Sequence, residues 1–347
     1  MIGSIVRVMV VDDSAYVRKV VSQMLSRSPF LEVVATARDG REALEVAHEK
    51  TPDVITCDLN MPEMDGVAFV SAQMARRPVP ILIMSVANPA GDQVLAALEA
   101  GAVDFVHKPT ALASEQLMEM AAELIQKVKA AANAPMHAPR ISSVSPQRLA
   151  RRAPDDGAGT VDVVVIGIST GGPQGLKQVI PLLPADFPVP ILIVLHMPVG
   201  YTELYARKLD ELSALKVTEA RQGDEIIAGL VLLAPAGRHL SLRREGSRLR
   251  AHLDLRPLDL AHRPAVDVLF QSAAQVCAGR TLGVVMTGMG ADGRDGAAWI
   301  KARGGCVLTE SEETCVVYGM PRAVAEAGLS DASVPIDRMA AAILERL

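Results

Sequence analysis

The stretch VDVVVIGISTGG at residues 161–172 sets the fold of the second half of the chain. It begins with a run of β-branched residues, which predicts a buried strand. We expect the strand to break at Gly167 and a helix to begin after Pro173. Ser169 then lies in the sharp turn between strand and helix, where backbone N–H groups and the helix dipole point outward. The stretch also matches G-x-S-x-G, the pattern of a nucleophile elbow.

Two more polar residues follow strands predicted in the same half. Strand-like runs at residues 161–166, 190–195, 230–233 and 281–286, and a weaker run near 306–309, alternate with helical stretches. This alternation predicts a doubly wound, mostly parallel α/β domain, in which reacting groups lie beyond the carboxyl ends of the strands. His196 follows the second run, and Asp292 lies in the glycine-rich segment after the fourth. We therefore expect Ser169, His196 and Asp292 at one edge of one sheet.

These three residue types are the ones that acyl transfer needs. A serine hydroxyl becomes a good nucleophile when an imidazole takes its proton and a carboxylate orients the imidazole. The chain order Ser, His, Asp differs from that of the α/β-hydrolases. A second interpretation stays open, because residues 167–172 also faintly resemble a dinucleotide-binding loop. Rivals for the base and the acid are His239, His262, Asp224, Asp267 and Asp295.

The first half also alternates strands and helices. Its strand-like runs are residues 5–11, 33–37, 54–57, 79–84 and 103–106, which predicts a parallel sheet with helices on both faces. Polar residues end these runs: Asp12, Asp13, Asp58, Ser85 and Lys108. Three neighbouring carboxylates repel one another unless a cation lies among them, and oxygen ligands suit Mg²⁺. The set favours phosphorylation of Asp58, although strand-end aspartates that only cap helices are the alternative.

Residues 4–128 resemble the receiver domain of bacterial response regulators. The motifs that carry the resemblance are VDDS at residues 11–14, DLNMPEMDG at residues 58–66, Ser85, and Lys108-Pro109. The resemblance implies a flavodoxin-like fold with Asp58 as the phosphoacceptor and with Asp12, Asp13 and Asp58 at a Mg²⁺ site. It also implies that Ser85 is the switch hydroxyl and that Lys108 contacts the phosphate. Phe105 fits the family's aromatic switch position, as well as an ordinary buried position.

Residues from about 160 to the end resemble the catalytic domain of the protein-glutamate methylesterases of bacterial chemotaxis. The carrying motifs are IGISTGGP at residues 166–173, HMP at 196–198 and MTGMGADG at 286–293, with further matches at 234–239, 263–270 and 317–321. The resemblance implies Ser169 as nucleophile, His196 as general base and Asp292 as orienting acid, without a metal in this half. We expect the backbone N–H groups of Met289, Thr170 and Gly171 to hold the oxyanion.

The two resemblances predict a receiver at residues 1–130, a flexible linker at 131–159 and a catalytic domain at 160–347. They imply a phosphorylation-activated esterase that removes methyl esters from glutamyl side chains of methyl-accepting chemotaxis receptors, releases methanol and also deamidates receptor glutamines. A chemotaxis histidine kinase would be the phosphodonor. We expect the unphosphorylated receiver to restrict access to Ser169.

The composition of the chain argues against several other classes of function. A net charge of −5 and an aromatic content of 3% are unlike a nucleic-acid-binding protein and argue against a transcriptional regulator. The apolar runs are too short to insert in a membrane, and the start of the chain leaves no room for a signal peptide, so we expect a cytoplasmic protein. We interpret the four cysteines as reduced, buried thiols. A receiver joined to a non-catalytic nucleotide-binding module remains the alternative.

Overall fold

The structure is a computed structural model that describes residues 5–85, 91–108, 114–132 and 161–347. The chain divides between Ile141 and Ser142 into two compact units. The predicted linker lies outside the described residues from residue 133 onward, so that its boundaries stay a prediction. Among the described helices, none combines the length and the apolar character needed to cross a bilayer.

The first unit is a five-stranded parallel sheet in the order β2-β1-β3-β4-β5. Its strands are β1 (Val6–Val11), β2 (Leu31–Ala37), β3 (Val54–Asp58), β4 (Ile81–Ser85) and β5 (Asp104–His107). Its helices are α1 (Ala15–Leu25), α2 (Gly40–Lys50), α3 (Gly66–Arg76), α4 (Gly91–Glu99) and α5 (Ser114–Ala132). The predicted sheet is confirmed. Every residue of the central strand β3 is buried, as its apolar run requires.

Side-chain caps begin the first three helices of this unit. Ser14, Asp39 and Asp65 each accept a hydrogen bond from a backbone N–H in the first turn of α1, α2 and α3. Asp58 does not cap a helix and instead contacts a lysine described below. Capping therefore explains some of the acidic residues of this unit but not the carboxylate at the end of β3.

The second unit contains a seven-stranded parallel sheet in the order β14-β13-β12-β6-β7-β9-β8 and a separate antiparallel hairpin, β10-β11. The strands are β6 (Val163–Ile168), β7 (Ile191–Leu195), β8 (Lys216–Glu219), β9 (Leu230–Leu233), β10 (His239–Glu245), β11 (Arg248–Asp254), β12 (Thr281–Val285), β13 (Cys306–Glu310) and β14 (Ala332–Val334). The helices are α6 (Gly172–Val179), α7 (Thr202–Leu212), α8 (Val266–Cys277), α9 (Arg294–Ala302), α10 (Met320–Glu326) and α11 (Ile336–Leu344). Because β6 lies between β12 and β7, the carboxyl ends of these three strands are neighbours.

The structure differs from the predictions in the bounds of β6 and α6, in four further strands and in the burial of one cysteine. Strand β6 does not break at Gly167 but continues to Ile168, and α6 begins at Gly172 rather than after Pro173. Gly167 is a packing requirement instead, because a Cβ there would lie 2.3 Å from Cγ1 of Val266 in α8. Strands β8, β10, β11 and β14 were not predicted. Three cysteines are buried free thiols as expected, but the fourth, Cys306, is only half-buried because it lies at the start of β13.

Candidate functional site

Ser169 directly follows β6, and backbone contacts fix the turn around it. Its N–H donates to the carbonyl of Thr287 at 2.9 Å, and its own carbonyl accepts from Gly172 N at 2.7 Å. Gly171 has a φ of 79°, and a Cβ at this position would lie 2.6 Å from Cβ of Val316. Glycine is therefore required by both conformation and space. The turn presents a half-buried serine at the N-terminal end of α6.

His196 lies at the neighbouring strand end. Its backbone N–H donates to the carbonyl of Ile168, the residue before Ser169, at 3.1 Å. On its side chain, Nε2 lies 2.8 Å from Oδ2 of Asp292, while Nδ1 is buried and has no hydrogen-bond partner among the described residues. The structure thus brings His196 and Asp292 together, and no hydrogen bond joins the side chains of the described residues Ser169 and His196.

The contact with Asp292 determines which nitrogen of His196 can act as a base. An ionised carboxylate only accepts hydrogen bonds, so the proton between the two side chains belongs to Nε2. In the neutral imidazole, Nδ1 then carries the lone pair. A buried polar atom without a partner costs about 1–3 kcal/mol, which marks Nδ1 as an atom kept available for chemistry rather than for stability.

Asp292 is held by three hydrogen bonds. Besides His196, its Oδ2 accepts from Val266 N at 2.8 Å and its Oδ1 from Asp267 N at 2.9 Å, both at the first turn of α8. Burial raises the pKa of Asp292, but the hydrogen bond and charge of His196 and the two backbone donors outweigh it, so that the net pKa is lowered. Asp292 is therefore an ionised, oriented partner for His196.

The rival histidines have other surroundings. His262 is exposed and stacks on the ring of His196, with 4.1 Å between ring centroids and 21° between ring planes. His239 is buried, with Nε2 donating to the carbonyl of Pro257 at 3.0 Å and Nδ1 accepting from Ala265 N at 3.2 Å. Burial lowers the pKa of His239. His239 is thus a satisfied core residue, whereas His262 contacts the site.

The rival acids are engaged elsewhere. Asp224 Oδ2 accepts from Arg221 N at 2.7 Å, and Asp295 pairs with the neighbouring Arg294 at 2.8 Å. The Oδ1 atom of Asp267 accepts two backbone hydrogen bonds at the start of α9, and its own N–H donates to Asp292. Among these acids, only Asp267 is part of the surroundings of Asp292.

A second loop, which follows β12, packs against the serine. A Cβ on Gly288 would lie 2.8 Å from Cβ of Ser169, so only glycine fits there. The next residue is Met289. Within the described part of the chain, the backbone N–H groups of Met289 and Gly171 have no acceptor. Two of the three N–H groups predicted for the oxyanion are therefore available, and the third predicted residue, Thr170, is buried.

A buried carboxylate that sequence reasoning missed anchors this loop. Glu310 Oε2 accepts from Thr287 N at 2.8 Å, and Oε1 accepts from the hydroxyl of Thr314 at 3.0 Å. The hydroxyl of Thr287 in turn donates to the carbonyl of Thr170 at 3.0 Å. Burial raises the pKa of Glu310 to about 7, against the opposing effect of these hydrogen bonds. The position of Glu310 at the end of β13 was its one signal in the sequence.

The first unit contains a separate acidic site at its strand ends. Lys108 Nζ lies 2.5 Å from Oδ2 of Asp12 and 2.9 Å from Oδ1 of Asp58, and carboxylate oxygens of Asp12, Asp13 and Asp58 lie within 4.8 Å of one another. Burial raises the pKa of Asp58, although the hydrogen bond from Lys108 opposes it. Such a set of oxygen donors fits Mg²⁺. Ser85 is buried beside this site, and its carbonyl accepts from Lys108 N at 2.6 Å.

Two family profiles match the chain. The one described as CheB methylesterase matches residues 164–343, and the one described as response regulator receiver domain matches residues 8–122. The Myxococcus xanthus protein-glutamate methylesterase/protein-glutamine glutaminase 5 is 50% identical over 337 residues, which cover 97% of this chain and 96% of that relative. The protein-glutamate methylesterase/protein-glutamine glutaminase of Symbiobacterium thermophilum is 45% identical, with the same shares of both chains covered.

A solved structure resembles the second unit. The crystal structure of the CheB methylesterase catalytic domain of Thermotoga maritima is 42% identical and has a TM-score of 0.53. The match covers 55% of this chain and 100% of that one.

Proposed function

The chain belongs to the CheB family of protein-glutamate methylesterases, and from this premise we propose that it hydrolyses glutamyl methyl esters with Ser169 as nucleophile. The observation that carries the proposal is the contact between His196 Nε2 and Asp292 Oδ2, which leaves the lone pair of the ring on Nδ1, in a residue whose backbone is hydrogen-bonded to Ile168, directly before Ser169. The geometry supports a serine hydrolase with His196 as general base and Asp292 as the orienting acid.

In the first half of the proposed reaction, Nδ1 of His196 takes the proton of the Ser169 hydroxyl as the oxygen attacks the ester carbonyl. The negative charge moves to the carbonyl oxygen, where the N–H groups of Met289 and Gly171 are the candidate donors, together with that of Thr170. Asp292 stabilises the imidazolium. When the tetrahedral intermediate collapses, the C–O bond to the methoxy group breaks and Nδ1 returns its proton to the leaving methanol.

In the second half, water attacks the acyl group on Ser169. His196 again takes the proton, and collapse of the intermediate regenerates the serine hydroxyl and leaves a glutamate side chain. A glutamine side chain reacts by the same steps with ammonia as the leaving group, which accounts for both activities in the names of the relatives.

The proposed control point is Asp58. The two hydrogen bonds that described residues make to its carboxylate, from Lys108 and from Leu59 N, go to Oδ1, and this supports Oδ2 as the oxygen that attacks a phosphodonor. When bound by Asp12, Asp13 and Asp58, Mg²⁺ would offset charge on the transferred phosphoryl group. Lys108 supplies a fixed positive charge, and Ser85 is the candidate hydroxyl that responds to the phosphate.

The family matches suggest the partners. We propose a histidine kinase of a chemotaxis pathway as the phosphodonor and methyl-accepting chemotaxis receptors as the substrates, which places the reaction in the cytoplasm. The family matches lend no support to the alternative of a non-catalytic nucleotide-binding module.

Methanol release tests the proposal. The full chain is incubated with receptor-containing membranes in which the glutamyl methyl groups are radiolabelled, and volatile label is measured. We expect release by the parent chain, faster with a phosphodonor, and none by S169A. Release by S169A at the parental rate would refute the role of Ser169.

A further inference from the structure

Asp292 is hydrogen-bonded to the first turn of α8, the helix that contains Asp267, and Asp267 is hydrogen-bonded to the start of α9, the helix that follows Asp292. Asp292 accepts from Val266 N and Asp267 N at the start of α8, at 2.8 Å and 2.9 Å. Asp267 Oδ1 accepts from Gly293 N and Gly296 N at the start of α9, at 2.9 Å and 2.7 Å. We propose that Asp267 is a positioning residue that holds the carboxylate of Asp292 against His196. The inference rests on the proposed function.

The backbone around this reciprocal pair leaves little room for movement. A Cβ on Gly296 would lie 3.0 Å from Cα of Asp267 and 2.6 Å from Cβ of Phe270. Gly293 has a φ of 96°, which favours glycine, and a Cβ there would lie 3.0 Å from Cγ1 of Val266. The two helices therefore meet at glycine contacts. Hydrogen bonds made across such an interface fix the segment that contains Asp292 relative to α8.

Placing two carboxylates close together has an electrostatic cost. Burial raises the pKa of Asp267 to about 6, the hydrogen bond from Gly296 N opposes the rise, and the charge of Asp292 adds to it. Four backbone donors and the N-terminal ends of two helices offset this repulsion. The charge of Asp267 alone would destabilise the ionised form of Asp292. The favourable contribution of Asp267 is therefore its hydrogen bonds to the start of α9.

Both of these hydrogen bonds go to one oxygen of Asp267, Oδ1. An asparagine keeps an acceptor oxygen in the same place and removes the charge, whereas alanine removes both. The pair of variants therefore separates positioning by hydrogen bonds from the effect of the charge on His196. D295N is the matched control, because Asp295 lies in the first turn of α9 and pairs with Arg294, so that the substitution removes a nearby charge without removing a hydrogen bond to Asp267 or Asp292.

The experiment measures the rate at which a fluorophosphonate probe labels Ser169 in the full-length chain, from pH 6 to pH 9. We expect D267A to lower the high-pH plateau on the order of 10- to 100-fold, as a displaced catalytic group does. D267N should stay within about 3-fold of the parent on the plateau, because its oxygen retains both acceptor contacts, while the midpoint of its pH profile shifts with the lost charge. D295N should match the parent plateau.

A second readout guards against a general loss of structure. With methyl-labelled receptor membranes, D267A should lower kcat and leave KM unchanged, and D267N should rescue kcat. Should D267A not fold, D267E serves in its place, since it retains the charge but moves the oxygen away from Gly293 and Gly296, and its plateau should fall as well.

Equal plateau rates for D267A and D267N, or a D267A rate within about 3-fold of the parent, would overturn the inference. This failure is distinct from failure of the proposed function, in which the parent chain itself is not labelled at Ser169.

Discussion

Nε2 of His196 lies 2.8 Å from Oδ2 of Asp292, while Nδ1 of the same ring is buried without a partner among the described residues. In the chymotrypsin-type triad the nitrogens have the opposite roles, with Nδ1 facing the acid and Nε2 facing the serine. With the ring in this reversed orientation, Nε2 still carries the proton that faces the acid, and Nδ1 still carries the lone pair that can accept the proton of the nucleophile. The proposed chemistry therefore depends on Asp292 keeping the proton on Nε2.

The first prediction concerns this tautomer. In D292N an amide nitrogen in place of Oδ2 donates to Nε2 and gives up the hydrogen bond from Val266 N, which moves the ring proton to Nδ1 and removes the base. Ser169 labelling by a fluorophosphonate should fall about 10⁴-fold, the loss seen when a triad aspartate becomes asparagine. ¹⁵N NMR should find the lone pair of His196 on Nδ1 in the parent and on Nε2 in D292N. A protonated Nδ1 in the neutral parent would contradict the assignment.

The second prediction concerns His262, whose ring stacks on His196 at 4.1 Å. A ring stacked at this distance hinders rotation of the His196 ring and so helps to keep Nε2 against Asp292. Because an aromatic pair contributes about 0.5–1.5 kcal/mol, H262A should slow Ser169 labelling about 2- to 10-fold, and H262F should recover most of the loss. H48A, at an exposed histidine of α2, is the control. Equal rates for H262A and H48A would refute a role for the stack.

The third prediction concerns stability and Glu310. Its pKa in the folded chain is about 7, above the ordinary value of 4.5. The folded state therefore binds this proton more tightly than the unfolded chain, and stability falls as pH rises from about 4.5 to about 7. Above pH 7 this pKa shift lowers the free energy of unfolding by about 3 kcal/mol.

E310Q tests this loss of stability at high pH, because glutamine cannot ionise. Its amide can still accept from Thr287 N and donate to the hydroxyl of Thr314. Urea unfolding should find E310Q more stable than the parent at pH 8 and nearly equal to it at pH 5. E312Q, at an exposed neighbour, should follow the parent at both pH values. A parent-like pH dependence in E310Q would contradict the assignment.

The fourth prediction concerns the acidic site of the first unit. Incorporation of phosphate from acetyl phosphate should require Mg²⁺ and should disappear in D58N or after addition of EDTA. EDTA should leave the basal labelling of Ser169 unchanged, because no proposed step at that site uses a metal. E49Q, at an exposed carboxylate of α2, should incorporate phosphate as the parent does. Undiminished incorporation by D58N would exclude Asp58 as the acceptor.

Sequence reasoning predicted Ser169, His196 and Asp292 at one sheet edge because each follows a strand of one parallel sheet, where position along the chain predicts position in space. The structure has all three after neighbouring strands and brings His196 and Asp292 into contact. It did not assign roles to Asp267 and His262. Both residues follow the β10-β11 hairpin, and only tertiary packing brings them to the site.

The sequence of the β10-β11 hairpin does contain a pattern that predicts two strands. Leu240 and Leu242 alternate with polar residues, and Leu249 and Leu253 do so after the turn at residues 246–247. The edge strands β8 and β14, of four and three residues, are too short to show a period. The local pattern predicts a strand break at Gly167, because the packing partner of this glycine, Val266, is about a hundred residues away along the chain and no local pattern encodes that contact.

The central claim, that Ser169 is the nucleophile, is tested most directly by mapping where a fluorophosphonate binds. The full-length chain is treated with the probe, digested and analysed by mass spectrometry, with S169A treated in parallel. We predict one adduct, on the peptide that contains Ser169, formed faster after phosphorylation and absent from S169A. A parent chain that stays unlabelled, or an adduct that persists in S169A, would contradict the account.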